Sequence, residues 1–290
     1  MQALAPAVAR HEPITAANTC VMHEVGSLLE GLEALYERYN KPEFIHPDPL
    51  EFLFRFPDPE EREIVGLIAA SLAYGRVWQI LKSIDECLEI TGRSPRGFLI
   101  YSSVQELRRA FKGFNYRFIK GEEMASFMIG IKRAIERHGG LEPLLCLSDH
   151  GHSGPDSTVK KLKTAVDELL ALSNMEKSYL LPDPGKKSAC KRLFLYLRWM
   201  VRKDQVDPGG WHVLSPSDLV IPLDTHMHHI ALNLGLTDRK QANLKTAIEI
   251  TRAFRRLTPC DPVRYDFVLT RFGIRPDLSR DEIPAILKRP

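Results

Sequence analysis

Two short stretches, Leu181-Pro-Asp-Pro-Gly-Lys-Lys-Ser-Ala189 and Asp218-Leu-Val-Ile-Pro-Leu-Asp-Thr-His226, decide the fold that this chain is expected to adopt. The first has two prolines and a glycine ahead of a helical pattern, which predicts a tight turn with Lys187 at the mouth of a helix. The second is a short apolar segment that delivers Asp224 to the start of the next helix. Because a helix and a loop lie between them, the chain can fold back and bring Lys187 and Asp224 together.

The composition allows a sizeable core without a strongly charged surface. The chain has 290 residues, of which 44% are hydrophobic, enough for one large core or two lobes. Its 40 basic and 37 acidic residues leave a net charge of +3, so binding to nucleic acid would depend on local clustering of charge. We expect a loose N-terminal tail over residues 1–24 and a helical region over 25–290.

The cysteines and the apolar runs restrict the classes of protein that fit. No two cysteines show C-x-x-C spacing, which argues against a zinc knuckle and favours a reduced, cytoplasmic setting. No run of about 18 apolar residues occurs, so neither a transmembrane helix nor a membrane partner is expected. The five cysteines are Cys20, Cys87, Cys146, Cys190 and Cys260.

Helical periodicity dominates the chain, and alternating strand patterns are almost absent, so the predicted fold class is all-α. Between Ser27 and Tyr39 the apolar residues recur on one helical stripe, and Asp58-Pro59 predicts the start of a central, buried helix. His150 to Ser157 is predicted as a loop. Further helices are predicted within 77–91 and 104–138 and over 161–172, 188–201, 226–236, 245–257 and 262–272.

The segment around the predicted turn is locally basic. No acidic residue follows Lys187 until Asp204. A helix N-terminus offers unpaired backbone N–H groups to an anion, so phosphate is the expected partner of this patch. The basic residues of the patch are Lys186, Lys187, Lys191, Arg192, Arg198, Arg202 and Lys203.

These motifs resemble the helix-hairpin-helix DNA glycosylase superfamily, which includes endonuclease III and the 8-oxoguanine glycosylases. The hairpin of that family reads approximately L-P-G-V-G-x-K-[ST]-A, and residues 181–189 match it at six positions. The catalytic lysine of the family falls on Lys187 and its catalytic aspartate on Asp224, 37 residues later. The Asp-x-x-Ile-Pro-x-Asp approach to Asp224 is similar to that of the archaeal 8-oxoguanine branch.

Two further runs resemble sequence motifs of an uncharacterised bacterial family within that superfamily. They are Ala69-Ala-Ser-Leu-Ala-Tyr-Gly-Arg76 and Pro222-Leu-Asp-Thr-His-Met-His228. Two residues depart from the hairpin pattern, because Asp183 replaces its first glycine and Pro184 its valine. An acid here would repel phosphate. The cluster-binding cysteines of endonuclease III are also missing. The resemblance therefore implies a fold without an iron–sulfur cluster, with two interleaved lobes over 25–290 and the active site between them.

The resemblance implies a DNA repair glycosylase with abasic-site lyase activity that excises an oxidised base, with 8-oxoguanine as the leading substrate. Lys187 would attack the sugar to form a Schiff base, and Asp224 would stabilise the developing positive charge and shuttle the proton. The implied partner is double-stranded DNA with a damaged base or an abasic site. No cofactor and no metal are implied, and the protein is expected to be a nucleoid-associated monomer.

The other site residues follow from the same resemblance. An extruded base needs a pocket and a wedge to fill the gap it leaves. Tyr74 and Trp211 suit that role, although ordinary packing would also explain them, and Asp266 and Phe267 could equally belong to the core. The expected DNA contacts are Gly185, Lys186, Ser188, Lys191 and Arg76, and the pocket or wedge candidates are Tyr74, Trp211, His226, Asp266 and Phe267.

Two other functions stay open. The run Asp224-Thr-His226-Met-His228 invites a metal-dependent hydrolase, but such sites usually lie at the ends of barrel strands, which the helical pattern lacks. A helix-hairpin-helix protein that binds DNA without catalysis would need the basic patch but not Asp224. Salt-dependent binding that ignores base damage would favour that second alternative.

Overall fold

The computed structural model describes residues 16–148, 153–275, 277–279 and 283, and these are mostly helical, which confirms the all-α class. The helices are α1 (Ala16–Tyr39), α2 (Pro59–Leu72), α3 (Val77–Thr91), α4 (Pro95–Tyr101), α5 (Val104–Ala110), α6 (Gly121–His138), α7 (Pro155–Leu172), α8 (Lys191–Val201), α9 (Thr225–Asn233), α10 (Leu244–Leu257) and α11 (Asp266–Ile274). Short 3-10 turns lie at Pro42–Phe44, Pro49–Arg55, Glu142–Cys146 and Pro216–Asp218. None of the helices in the described part of the chain is long and apolar enough to cross a membrane.

Helix α2 is the central element, as its sequence predicts. The Asp58 side chain accepts a hydrogen bond from the backbone N–H of Glu60, and Pro59 occupies the first helical position, which together explain where the helix starts. Every residue from Glu63 to Leu72 is buried. A Cβ on Gly66 would lie 3.1 Å from the Tyr196 ring of α8, so the glycine allows these two helices to pack closely.

A small antiparallel hairpin, which the sequence pattern did not predict, joins α5 to α6. Strand β1 (Asn115–Tyr116) pairs with β2 (Ile119–Lys120) across a two-residue turn. Arg117, the first turn residue, has a φ of 52°, the left-handed conformation that tight hairpin turns use. The hairpin is too short to show alternation in the sequence.

Several predicted boundaries need correction. Helix α1 begins at Ala16, inside the predicted tail, and residues 1–15 lie outside the described residues. Helix α7 begins at Pro155, inside the predicted loop, of which residues 150–152 lie outside the described part. Helix α8 begins at Lys191, three residues after the predicted start at Ser188.

The late start of α8 has local causes. Cys190 precedes the helix with a φ of 47°, a left-handed conformation that interrupts the helical path. Ser188 forms an isolated antiparallel bridge with Asn243, which holds this part of the chain extended. Lys191 is therefore the first residue of α8. Lys187 lies about one helical turn of 3.6 residues before it, outside the helix.

A buried ionic cluster anchors the far end of α8. Arg202 pairs with Asp204 and Asp261 at 2.9 Å and also contacts Asp207, which is fully buried. Arg198 pairs with the same Asp207 at 3.2 Å. Arg198 and Arg202 were expected in a phosphate-binding patch, but they are only 2% and 3% exposed. The prediction is therefore wrong for these two residues. Buried arginines are tolerated here because each meets more than one carboxylate.

Candidate functional site

A cavity of about 310 Å³ opens between the end of α2 and the starts of α8, α9 and α11. Unlike the apolar core, it is lined by several charged side chains. Such groups are costly to bury and tend to gather where ligands bind. The titratable and charged residues in its lining are Asp48, Lys191, Arg198, Asp224, His226, Asp266 and Arg271.

Lys191 and Asp224 form an ion pair in this cavity. The Nζ atom of Lys191 lies 2.9 Å from Oδ2 of Asp224, whose side chain is only 14% exposed. The other oxygen of Asp224 accepts a hydrogen bond of 2.8 Å from the backbone N–H of Met227, so Asp224 also caps α9. Burial by itself would raise the pKa of Asp224, but the Lys191 ammonium and these hydrogen bonds together hold it below its ordinary value. Asp224 is therefore a carboxylate at neutral pH.

Lys187 does not hold the position predicted for it. It is exposed on the irregular segment before α8 and is not part of the cavity lining. The lysine that meets Asp224 is Lys191, four residues later, which corrects the predicted approach of Lys187 to Asp224. The reason is the late start of α8, which places Lys191 instead of Lys187 at the beginning of the helix.

Asp266 lines the cavity from the first turn of α11. Its Oδ2 atom accepts a hydrogen bond from Arg198, whereas Oδ1 has no hydrogen-bond partner among the described residues. Burial raises its pKa to about 6, with Arg198 opposing the shift and Asp224 adding to it. A buried oxygen without a partner is costly, so this carboxylate is available to a ligand. Phe267, the neighbouring candidate, is 1% exposed, is absent from the cavity lining and packs in the core.

The histidines of the predicted metal site separate in the structure. His226 lines the cavity, and a Cβ on Gly273 would lie 2.6 Å from its ring, so a glycine at 273 leaves room for it. The Nε2 atom of His228 lies 2.7 Å from the backbone oxygen of Arg239. Among the residues that the structure describes, no three His, Cys, Asp or Glu side chains are grouped to hold a metal ion. Asp224, His226 and His228 therefore do not form the cluster that the hydrolase hypothesis requires.

Tyr74 and Gly75 line the cavity, and because Gly75 is exposed, we call this solvent-facing part of the lining the cavity mouth. The Tyr74 ring packs edge-on against Tyr116 and Tyr179, with centroid distances of 5.0 and 4.8 Å. The Arg192 guanidinium lies 4.9 Å from the Tyr74 ring and 5.1 Å from that of Tyr179. The structure thus places Tyr74 in an aromatic cluster beside the cavity, as a pocket candidate requires.

Trp211 is a core residue, and its prediction as a pocket or wedge residue is wrong. It is 6% exposed, and its Nε1 donates a hydrogen bond of 3.1 Å to Glu63. Its ring packs edge-on against Tyr196 at 4.9 Å. Burial raises the pKa of Glu63, while hydrogen bonds from Leu141, Trp211 and Glu142 oppose the shift. This side of α2 stabilises the fold.

The predicted DNA contacts lie on the surface, except for Lys191. Gly185, Lys186 and Ser188 are exposed on the segment before α8, and Arg76 is exposed just before α3. The acid that replaces the first hairpin glycine is engaged within the protein. The Asp183 carboxylate accepts a hydrogen bond of 2.7 Å from the backbone of Gly185 and lies 3.8 Å from the Lys163 ammonium. This lysine reduces the repulsion that Asp183 would exert on a phosphate.

The sequence did not predict the ion pair of Lys191 with Asp224 or the exposed aromatic side chain on the hairpin. Lys191 does open the amphipathic run through Val201, and that pattern was the available signal. No sequence signal marks Arg117 and Phe118, because they reach the cavity mouth through the hairpin turn.

The chain belongs to the family described as Protein of unknown function (DUF2400), whose sequence model matches residues 48–275. That range includes the whole charged lining of the cavity. No curated protein matches the chain. No solved structure matches it either.

Proposed function

We propose that this protein is a DNA N-glycosylase with an abasic-site lyase step, in which Lys191 is the nucleophile and Asp224 its carboxylate partner. The observation that carries the proposal is their 2.9 Å ion pair inside a cavity of about 310 Å³. A lysine beside a carboxylate can attack a sugar and pass on a proton, and the cavity falls in the usual size range of small-ligand pockets. The helical fold is compatible with the helix-hairpin-helix glycosylase architecture, which remains part of this proposal.

The reaction can be written with these two side chains. The Lys191 ammonium first gives a proton, by way of the Asp224 carboxylate, to the departing base. The Lys191 nitrogen bonds to the anomeric carbon while the N-glycosidic bond breaks, and the base leaves with its electron pair and that proton. Transfer of a proton from the Lys191 nitrogen to the ring oxygen opens the sugar and gives a protonated Schiff base. A C2′ proton is then lost to water, its bonding electrons form a double bond to C3′, and the 3′ phosphate leaves with the electrons of its bond to C3′. Hydrolysis of the Schiff base releases the enzyme. Once Asp224 has passed its proton to the base, its carboxylate stabilises positive charge at the sugar.

The cavity also offers a way to recognise the base. With a pKa of about 6, Asp266 is mostly ionised at neutral pH, and its free oxygen can accept a hydrogen bond from a ring or amino N–H group. An oxidised guanine has several such donors. The choice of 8-oxoguanine as the leading substrate rests on the sequence resemblance, and Asp266 is compatible with it.

Exposed cations near the cavity would hold the DNA backbone. Lys186 and Lys187 lie on the segment before α8, and Arg76 lies beside Gly75 at the cavity mouth. Phosphate contacts position a duplex without reading its sequence, which suits an enzyme that searches for damage. In this proposal Lys187 binds DNA and does not attack the sugar.

Borohydride trapping tests the proposal on duplexes that carry either 8-oxoguanine or an abasic site. We expect a covalent adduct with the wild-type protein and with Lys187→Gln, and none with Lys191→Gln. Asp224→Asn should slow the trapping by about 100-fold, the scale of a lost acid–base or electrostatic group. Salt-sensitive DNA binding without any adduct would instead support the binding protein. An adduct that vanishes only in Lys187→Gln would restore the role predicted from the sequence.

A further inference from the structure

The tip of the β1–β2 hairpin carries an exposed aromatic side chain. Phe118 is 64% exposed, and its ring packs edge-on at 5.4 Å against Tyr179, which is 49% exposed. Large aromatic side chains contribute most to stability when they are buried. An exposed pair of neighbouring rings therefore indicates a surface that contacts a binding partner.

This hairpin is held against the cavity mouth. The Tyr116 hydroxyl donates a hydrogen bond to the backbone oxygen of Tyr74. A Cβ on Gly75 would lie 2.6 Å from Nη1 of Arg117, so the glycine lets the Arg117 guanidinium approach the loop that lines the cavity. Phe118, the residue after Arg117, is therefore held close to this part of the cavity lining.

Cations are interleaved with these rings. The Arg117 guanidinium lies 5.6 Å from the Tyr74 ring and 5.7 Å from the Phe118 ring. Arg192 lies against both the Tyr74 and the Tyr179 rings and donates hydrogen bonds to the backbone of Ser71 and Tyr179. We call the five residues Tyr74, Arg117, Phe118, Tyr179 and Arg192 the aromatic ridge.

The aromatic ridge suits nucleobases better than an apolar protein surface. Bases stack on aromatic rings and on guanidinium groups, and their phosphates attract the same arginines. The acidic residue Glu123 contacts the ridge at Tyr179, where it accepts hydrogen bonds from the Ser178 hydroxyl and from the backbone N–H of Tyr179. Its charge is thus directed at the protein itself.

We propose that Phe118 inserts into the DNA base stack where a nucleotide has been drawn into the cavity, while Tyr179 supports its ring from behind. This inference rests on the proposed function. Extruding a base leaves a gap in the stack, and an apolar ring that fills it recovers part of the lost stacking. Phe118 is then a positioning residue, because it contacts the stack and not the reacting sugar.

The test uses a duplex with a stable abasic analogue opposite 2-aminopurine, whose fluorescence reports on stacking. The variants are Phe118→Ala, Phe118→Leu and Tyr101→Ala, the last being an 89% exposed aromatic outside the aromatic ridge. We expect Phe118→Ala to weaken binding by roughly 10-fold or more and to abolish the fluorescence change. Phe118→Leu should retain part of both signals, and Tyr101→Ala should match wild type.

Borohydride trapping on duplex and single-stranded abasic DNA separates this inference from the proposed function. We expect Phe118→Ala to slow trapping on the duplex by a larger factor than on the single strand, which has no opposing stack to fill. Wild-type levels of binding, fluorescence and trapping in Phe118→Ala would overturn the inference and leave the proposed function intact. A Phe118-dependent fluorescence change without any wild-type adduct would overturn the proposed function alone. Failure of the wild-type protein to bind the duplex would overturn both.

Discussion

The Lys191 ammonium lies 2.9 Å from the Asp224 carboxylate, and each residue stands at the beginning of a different helix. Lys191 is the first residue of α8, and Asp224 caps α9 through Met227. Functional groups on helices are held more accurately than groups on loops, because the backbone hydrogen bonds restrict their movement. The separation between the two groups is thus controlled by how α8 and α9 pack.

Asp224 should contribute to stability and to chemistry through different atoms. Asp224→Asn keeps an oxygen that can cap α9, whereas Asp224→Ala removes it. We therefore expect Asp224→Ala to lower the free energy of unfolding by about 1 kcal/mol more than Asp224→Asn does. Urea denaturation measures the difference, and both variants should lose most of the trapped adduct. Equal stabilities would show that the cap contributes nothing.

Asp266 should make the protein less stable as the pH rises. The pKa of Asp266 in the folded protein is about 6, above the ordinary value of 3.8. Its contribution to folding stability is therefore most favourable below pH 3.8 and is lost as the pH rises through 6. A shift of this size corresponds to about 3 kcal/mol. The charged groups that act on it are Arg198, Asp224 and Lys191.

The comparison to make is wild type against Asp266→Asn, by urea denaturation between pH 4 and 7. The wild type should lose about 2 kcal/mol relative to the variant over this range, because asparagine does not titrate. A difference that is independent of pH would contradict the raised pKa.

The buried ionic cluster predicts a strong effect at Asp207. This residue is fully buried and pairs with both Arg198 and Arg202, so Asp207→Ala leaves two buried guanidinium groups with fewer partners. We expect a loss of about 3–5 kcal/mol in unfolding free energy. The control is Arg252→Ala, which breaks an exposed pair with Asp156 and should cost less than about 1 kcal/mol. Similar losses of unfolding free energy in the two variants would contradict the expected difference between a buried and an exposed ion pair.

Gly273 should be intolerant of a side chain because His226 occupies the space. An alanine Cβ would lie 2.6 Å from the histidine ring, so Gly273→Ala must displace the ring in the cavity or shift α11. We expect a stability loss of about 1–3 kcal/mol and slower adduct formation. The matched control is Gly113→Ala, where a Cβ would meet nothing within 4 Å. Thermal unfolding and trapping rates of the two variants provide the measurement.

The parts of the fold that were predicted correctly depend on local signals. Asp58 and Pro59 are sufficient to start α2, because a capping side chain and a preset φ act within one turn. Asp224 was expected before a helix for a similar reason and does cap α9. The predicted start of α8 was wrong because a strained Cys190 and a bridge from Ser188 to the distant Asn243 delay it.

The sequence by itself determined the all-α class, the central helix α2 and the position of Asp224 at a helix start, since periodicity and capping involve neighbours within a few residues. The tertiary structure decided which lysine meets Asp224, and it placed Arg198 and Arg202 in the core instead of on a DNA-facing surface. It also brought Phe118 to the mouth of the cavity. These outcomes depend on contacts between residues far apart in the chain. The sequence around a charged or aromatic residue has the same local pattern whether its side chain is buried or exposed.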